Sequence, residues 1–283
     1  MKRILLTGST SFLGSKFIEM FHSVYEIKGI SKSDPDNPVD LLDIDALSRV
    51  YKEFNPDIII HTAAIVDQDA NKVKIPNILS TKNLVEVAKI RSTPIIFSSS
   101  ESVYGGKEQI GEYSENDPYK PRSAYGETKV ESEKIIIDSG LSYLFTRCHR
   151  YVGINKKYNK AKQFPDTIKL LQSGNQVILD DHKLFKPCLI NHISDVYRYY
   201  IENDLDQKII LNLGVDKPST YYQFIKDVSE SLGLNSELIL TGGNEQSWPE
   251  NSTLSVNRLK NSKYPQLSYD DLLATLQRDY HNH

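Results

Sequence analysis

Tyr125 and Lys129 stand four residues apart in the segment Ser123-Ala-Tyr-Gly-Glu-Thr-Lys129. On a helix, that spacing puts both side chains on one face, one turn apart. A lysine ammonium beside a phenol favours the phenolate and lowers its pKa toward working pH. The pair reads as a proton donor or acceptor that needs neither metal nor histidine. Long helices produce this spacing by chance, so its meaning rests on what lies upstream.

Upstream, a short apolar strand runs into Thr7-Gly8-Ser-Thr-Ser11-Phe-Leu-Gly14 and then into a helical pattern. A glycine-rich turn from strand to helix lets the backbone reach a pyrophosphate, which then sits on the helix N-terminus. Gly8, Ser11, Phe12, Leu13 and Gly14 are therefore candidate cofactor residues. Ser11 stands where the pattern would carry another glycine. It fits if its dihedrals are ordinary, and its hydroxyl is a candidate phosphate donor. The plainer reading is an ordinary tight turn.

The end of the second strand bears on which dinucleotide is bound. An acid there would grip the ribose hydroxyls of NAD. The chain has Gly29-Ile-Ser31-Lys32-Ser33 instead. Hydroxyl plus cation suits the 2′-phosphate of NADP, so NADP(H) is preferred, while Asp34 close by keeps NAD(H) open. After the fourth strand comes Phe97-Ser-Ser-Ser100-Glu-Ser-Val-Tyr-Gly105. Ligands of open α/β sheets bind beyond the carboxyl ends of the strands, which directs these hydroxyls toward a site. Capping accounts equally well for one or two of them.

The elements that must position these groups alternate. Strands are expected at Arg3–Leu6, Glu26–Ile30, Asp57–His61, Pro94–Phe97 and Tyr143–Arg147. Helices are expected at Phe12–Phe21, from the cap Asp43 to Phe54, at Asn77–Ile90 and at Ser123–Ser139. Apolar strands alternating with amphipathic helices indicate an α/β fold, a Rossmann-type doubly wound parallel sheet. The second half is less regular. Helices are expected near Ala161–Ser173, from Ser194, and near Tyr221–Leu232 and Tyr269–Tyr280, with a strand at Ile209–Leu213. It reads as a smaller C-terminal α/β substrate-binding lobe. The expected division is 1–150 for the dinucleotide-binding domain and 151–283 for the lobe, with part of 186–213 returning to the first domain.

Composition narrows the function classes. The chain has 283 residues, 39% of them hydrophobic, and a net charge of −3. No basic stripe argues for nucleic acid and no polybasic segment for an anionic membrane. Met1-Lys-Arg-Ile-Leu-Leu resembles the start of a signal peptide, but Gly8 ends the apolar run too early, so a buried strand is expected. Cys148 and Cys188 form no CxxC pair, and the seven histidines show no zinc-ligand spacing, so no metal is expected. Reduced, cytoplasmic residence is the expectation.

In order along the chain, these elements resemble the extended short-chain dehydrogenase/reductase family. The resemblance rests on the glycine turn, Asp40-Leu41, Asp57-Ile-Ile-Ile-His-Thr-Ala-Ala64, Asn77–Leu84, Ser100…Val-Tyr-Gly105 and Tyr125-x-x-x-Lys129. It implies Ser100 and Tyr125 as the catalytic hydroxyl pair, with Lys129 holding the nicotinamide ribose and tuning Tyr125. It implies Asp40 and Leu41 in the adenine pocket, Ala63 and Ala64 flanking the cofactor, and Asn77 as a supporting polar group. Nucleotide-sugar dehydratases carry an Asp-Glu pair where this chain has Glu101 and Ser102, which argues against dehydration.

The short second half looks most like the dTDP-4-dehydrorhamnose reductases, from Gln163-Phe164, Asp180-Asp181, Pro187 and Pro249–Leu254. Trp248 stands where relatives often carry a basic residue, and Arg150 where they carry Asn or an aromatic residue. Arg150 suits a phosphate or a sugar carboxylate, or else is a surface arginine paired with an acid. Glu101 faces a substrate hydroxyl or solvent. His149 is expected as a wall residue of the substrate site. Trp248 either stacks on a nucleotide base or packs the lobe.

The resemblance therefore implies an NADP(H)-dependent reductase of a nucleotide-linked 4-keto-6-deoxyhexose, with a nucleotide-sugar substrate, and allows a homodimer. An NAD-dependent nucleotide-sugar epimerase and a non-enzymatic nucleotide-binding member of the fold are the alternatives.

Overall fold

The computed structural model describes residues 1–67, 69–105, 112–155, 163–242 and 251–282. The first half alternates β1 (Arg3–Thr7), α1 (Phe12–Phe21), β2 (Glu26–Ile30), α2 (Ile44–Phe54), β3 (Ile58–His61), α3 (Ala70–Lys89), β4 (Ile95–Ser100), α4 (Ala124–Asp138) and β5 (Tyr143–Cys148). A 3₁₀ turn, Glu101–Val103, follows β4 directly. Then come β6 (Tyr151–Val152), α5 (Gln163–Gln172), β7 (Val177–Leu179), β8 (Leu184–Phe185), β9 (Cys188–Leu189), α6 (Ile190–Asn203) and β10 (Lys208–Asn212). The chain continues through β11 (Ser219–Thr220), α7 (Tyr221–Ser231), a 3₁₀ turn at Ser236–Leu238, β12 (Ile239–Thr241), α8 (Asn257–Lys260) and α9 (Tyr269–His281).

Six strands form one sheet in the order β10-β5-β4-β3-β1-β2, with every neighbour parallel. Successive strand residues point to opposite faces, and here both faces are buried. Leu5, Ile59, Ile95, Phe97 and Phe145 pack with Leu47, Tyr51, Leu84 and Ile136 on one side. Ile4, Leu6, Ile58, Ile60, Ile96 and Leu144 pack with Phe17, Val196, Tyr197 and Ile201 on the other. This is why the strands read as continuous apolar runs rather than alternating ones. The strand order changes direction between β1 and β3, which opens a crevice at their carboxyl ends, where ligands of such sheets bind.

A second core joins α5, β7, β8, α7 and α9 through Phe164, Val177, Phe185, Phe224, Val228 and Leu272. The strand β10 lies beside β5 in the main sheet, and its neighbour α6 packs on α1.

Two helices begin earlier than the sequence suggests. The start expected at Asn77 followed Pro76, yet α3 runs from Ala70 with Pro76 inside it. Asp69 supplies the cap, its Oδ1 accepting from the Asn71 amide at 2.9 Å. α6 starts at Ile190, before Ser194, with no side-chain cap; its first residues are buried instead. No described helix is long and apolar enough to cross a membrane.

Candidate active site

The glycine turn is built as its residues suggest. Gly8 adopts φ +76°, and a Cβ there would lie 2.8 Å from the Ala63 amide nitrogen. That approach brings the turn after β1 against the segment after β3. Ser11 has ordinary extended dihedrals and caps α1. Its Oγ accepts from the Gly14 amide at 3.0 Å and lies 3.1 Å from Thr62 Oγ1, which itself donates to the Thr7 carbonyl at 2.8 Å. The Ser11 hydroxyl thus serves the turn. Phe12 and Leu13 bury their side chains in the core, so they offer a cofactor only main chain.

At the end of β2, Thr10 Oγ1 lies 3.0 Å from Ser31 Oγ and 2.9 Å from Ser33 Oγ. Lys32 Nζ lies 2.8 Å from Asp40 Oδ2. The Asp40 carboxyl sits below its ordinary range because Lys32 donates to it, helped by the Leu42 amide. Asp34 is taken up locally: Ser9 Oγ donates to it, as do the amides of Asp36 and Asn37 at 3.0 and 3.1 Å. Burial pushes its pKa up, but these hydrogen bonds outweigh burial and hold it below the usual value. Thr10 escaped the sequence reading, although its place in the turn opposite β2 was a signal.

Leu41 is buried, and its carbonyl accepts from Asn83 Nδ2 at 2.8 Å. Ala63 is half-buried and Ala64 exposed. Asn77 braces the loop after β3: its Oδ1 accepts from the Ile65 amide at 2.8 Å, and its Nδ2 donates to the Ile65 carbonyl at 2.9 Å. The same nitrogen reaches Thr128 Oγ1 on α4 at 3.3 Å.

The candidate catalytic groups gather at the carboxyl end of β4. Ser100 Oγ donates to Glu101 Oε2 at 2.7 Å and accepts from the amide and hydroxyl of Ser102 at 3.2 and 2.9 Å. The start of α4 is pressed onto the 3₁₀ turn. A Cβ on Gly126 would lie 2.5 Å from the Ser102 carbonyl oxygen, so glycine permits the contact that brings Tyr125 to this cluster. Burial pushes the Glu101 carboxyl up to about 7, against the Ser100 hydrogen bond and the Arg150 charge.

Tyr125 departs from the expectation that Lys129 lowers its pKa. Burial first, then the charges of Glu101 and Cys148, raise it above the ordinary phenol value. Burial also brings Lys129 down to about 7, with Glu133 opposing. Lys129 Nζ donates to the Ser98 carbonyl at 2.7 Å and lies 5.5 Å from the centre of the Tyr125 ring. A buried lysine with reduced charge cannot offset the desolvation of its neighbour. Tyr125 is therefore held as the protonated phenol.

Beneath this cluster lies a buried network. Arg147 grips Glu133 twice, Nε to Oε1 at 3.0 Å and Nη2 to Oε2 at 2.6 Å. Ser99 Oγ donates to Glu133 Oε1 at 2.5 Å, and Tyr119 donates to Oε2 at 2.6 Å. The network ties β4, α4 and β5 together. Glu133 lies one turn beyond Lys129, a same-face spacing that could have revealed it.

On the lobe side, the Arg150 guanidinium lies 4.8 Å from the centre of the Tyr221 ring and 5.8 Å from that of Phe185. His149 packs 5.5 Å from Phe185. Burial, then the Arg150 charge, lowers its pKa to about 3, which keeps the ring neutral. Trp248 lies outside the described residues, as do Lys156, Lys157, Lys160 and Lys162, a basic loop that the sequence reads as a solvated face rather than a phosphate contact.

Three comparisons bear on this arrangement. A family model for the RmlD substrate binding domain matches residues 1–281. Methionine adenosyltransferase 2 subunit beta of Bos taurus is 30% identical over 249 residues, covering 83% of this chain and 73% of that protein. The dTDP-4-dehydrorhamnose reductase of Aggregatibacter actinomycetemcomitans is 26% identical over 144 residues, 48% of this chain and 47% of that one. Among solved structures, dTDP-4-dehydrorhamnose reductase from Bacillus anthracis str. Ames in complex with NADP superposes with a TM-score of 0.87 at 18% identity, covering 100% and 99% of the two chains.

Proposed function

The chain belongs to the RmlD substrate binding domain family, and on that premise we propose that it is an NADP(H)-dependent reductase of a nucleotide-linked 4-keto-6-deoxyhexose. The observation that carries the reading is Tyr125, kept protonated beside Ser100 and Glu101 at the carboxyl end of β4. A protonated phenol is the form needed to neutralise an alkoxide developing on a ketone.

The residues present fit the cofactor. Gly8 permits close main-chain approach, and the first turn of α1 offers its amides to a pyrophosphate. Thr10, Ser31, Ser33 and Lys32 together suit a 2′-phosphate, while Asp34 is already engaged by Ser9 and two amides. The nicotinamide, when bound, supplies hydride to the ketone carbon. Tyr125 gives its proton to the carbonyl oxygen. Ser100 hydrogen-bonds the same oxygen and tightens as charge builds. Lys129 holds the nicotinamide ribose from its anchor on Ser98. Arg150, steadied over Tyr221, meets an anionic or polar part of the substrate.

The deciding assay offers NADPH and a panel of nucleotide 4-keto-6-deoxyhexoses, dTDP-4-dehydrorhamnose among them, and follows loss of the NADPH absorbance. Stoichiometric oxidation supports the reading. Tightly held NAD with no net consumption points to epimerisation.

The bovine relative's name favours a second reading, a nucleotide-binding chain that assembles with a methionine adenosyltransferase. Co-elution with a purified methionine adenosyltransferase on size exclusion, together with no turnover of any keto sugar, would establish it in place of the first.

A further inference from the structure

The hydrogen-bonding capacity of Ser100 is fully used within the protein. A serine hydroxyl has one hydrogen and two acceptor sites. The hydrogen goes to Glu101 Oε2 at 2.7 Å, and the acceptor sites take the Ser102 amide at 3.2 Å and the Ser102 hydroxyl at 2.9 Å. A Ser100 bound in this way has nothing to donate to a substrate oxygen. The proposed reaction, on which the present argument rests, needs that donation.

We infer that Glu101 is a positioning residue that directs the single hydrogen of Ser100. An ionised Glu101 holds it, and a protonated Glu101 releases it to the reacting oxygen of the substrate. The physical reason is the strength of the competing acceptor. A hydroxyl bound to a carboxylate is held about twice as strongly as one bound to a neutral oxygen.

The charged and titratable groups facing Glu101 are Tyr125 from α4, Cys148 from β5 and Arg150 beyond β5. Arg150 favours the ionised form, and burial favours the protonated one. The balance lies at about 7, so the two states exchange near neutrality. Lys129 titrates in the same range, and the test must separate it from Glu101.

Two measurements do so. The first is infrared titration of the Glu101 carboxyl band, assigned by its loss in E101Q, and it uses the protein alone. Ser100→Ala removes the donor that stabilises the carboxylate. It should therefore move the Glu101 midpoint upward by about one pH unit or more, while Ser100→Thr, which keeps the hydroxyl, should leave it in place. The second is the pH profile of kcat with dTDP-4-dehydrorhamnose and NADPH. In the wild type kcat should fall about 100- to 1,000-fold as pH rises through neutrality, the cost of losing one oxyanion donor. Glu101→Ala should lose that limb, although Lys129 is intact.

A Glu101 midpoint that Ser100→Ala does not move, or a limb that persists in Glu101→Ala, overturns the inference. Absence of turnover by the wild type with every keto sugar overturns the proposed reaction instead. The infrared shift still decides whether Ser100 and Glu101 share the hydrogen.

Discussion

Lys129 Nζ lies 2.7 Å from the main-chain oxygen of Ser98, a bond that pins the second turn of α4 to β4. The lysine also lies 4.5 Å from the centre of the Phe97 ring. It is anchored by the strand, and Tyr125 stands beside it without relying on its charge. The strand therefore fixes the place of Lys129, and in the proposed reaction Tyr125 is the proton carrier.

Tyr125→Phe removes that carrier and leaves the glycine turn and the β2 end untouched. Turnover should fall about 100- to 10,000-fold, the range for losing a general acid. NADPH binding, followed by its fluorescence, should stay at the wild-type level. Normal turnover in this variant would remove Tyr125 from the reaction.

Lys32→Ala tests cofactor choice. The side chain is 80% exposed and its ammonium group pairs with Asp40, so the fold should not depend on it. A charge-assisted hydrogen bond is worth about 1.5–3 kcal/mol, so the Kd for NADPH should rise roughly tenfold or more. NADH should bind as before, since it lacks the 2′-phosphate. Equal weakening of both, measured by calorimetry, would place Lys32 elsewhere in the cofactor site.

Glu133→Gln tests the buried network. The pair with Arg147 is 0% and 1% exposed at its side chains. Removing one partner leaves an uncompensated buried charge, which costs about 3–5 kcal/mol. Urea denaturation should show that loss. A change below about 1 kcal/mol would mean that the arginine finds another partner.

Acid should destabilise the fold through His61. Its Nδ1 lies 2.7 Å from Thr7 Oγ1, and burial, then the Lys129 charge, lowers its pKa to about 3. The unfolded chain keeps an ordinary histidine and binds the proton first as pH falls. His61 therefore contributes its full stability above about pH 6.5, and loses it progressively toward pH 3, on the order of a few kcal/mol. His61→Asn should flatten this part of the pH–stability curve, read from urea midpoints at pH 7 and pH 5. An unchanged slope would assign the acid sensitivity to other groups.

Much of the fold could be read along the chain because its signals are local. Apolar runs in β1, β3, β4 and β5, the Gly8 turn and the Asp43 cap are set by neighbours a few residues away. The order of the motifs was enough to bring Ser100, Tyr125 and Lys129 together as a candidate site. The early start of α3 was harder to see, because Pro76 argues locally for a break while the surrounding packing carries the helix through it.

The charges at the site were beyond that reach. Spacing placed Lys129 beside Tyr125, but only the packed molecule set the lysine on Ser98, 31 residues away, and buried both groups so that neither is readily charged. The same holds for the Ser100 hydrogen on Glu101, for Glu133 under Arg147, and for β10 taking its place beside β5. Local propensity depends on bonded neighbours. A pKa depends on water excluded and charges gathered through space, and those exist only once the sheet and its helices have closed together.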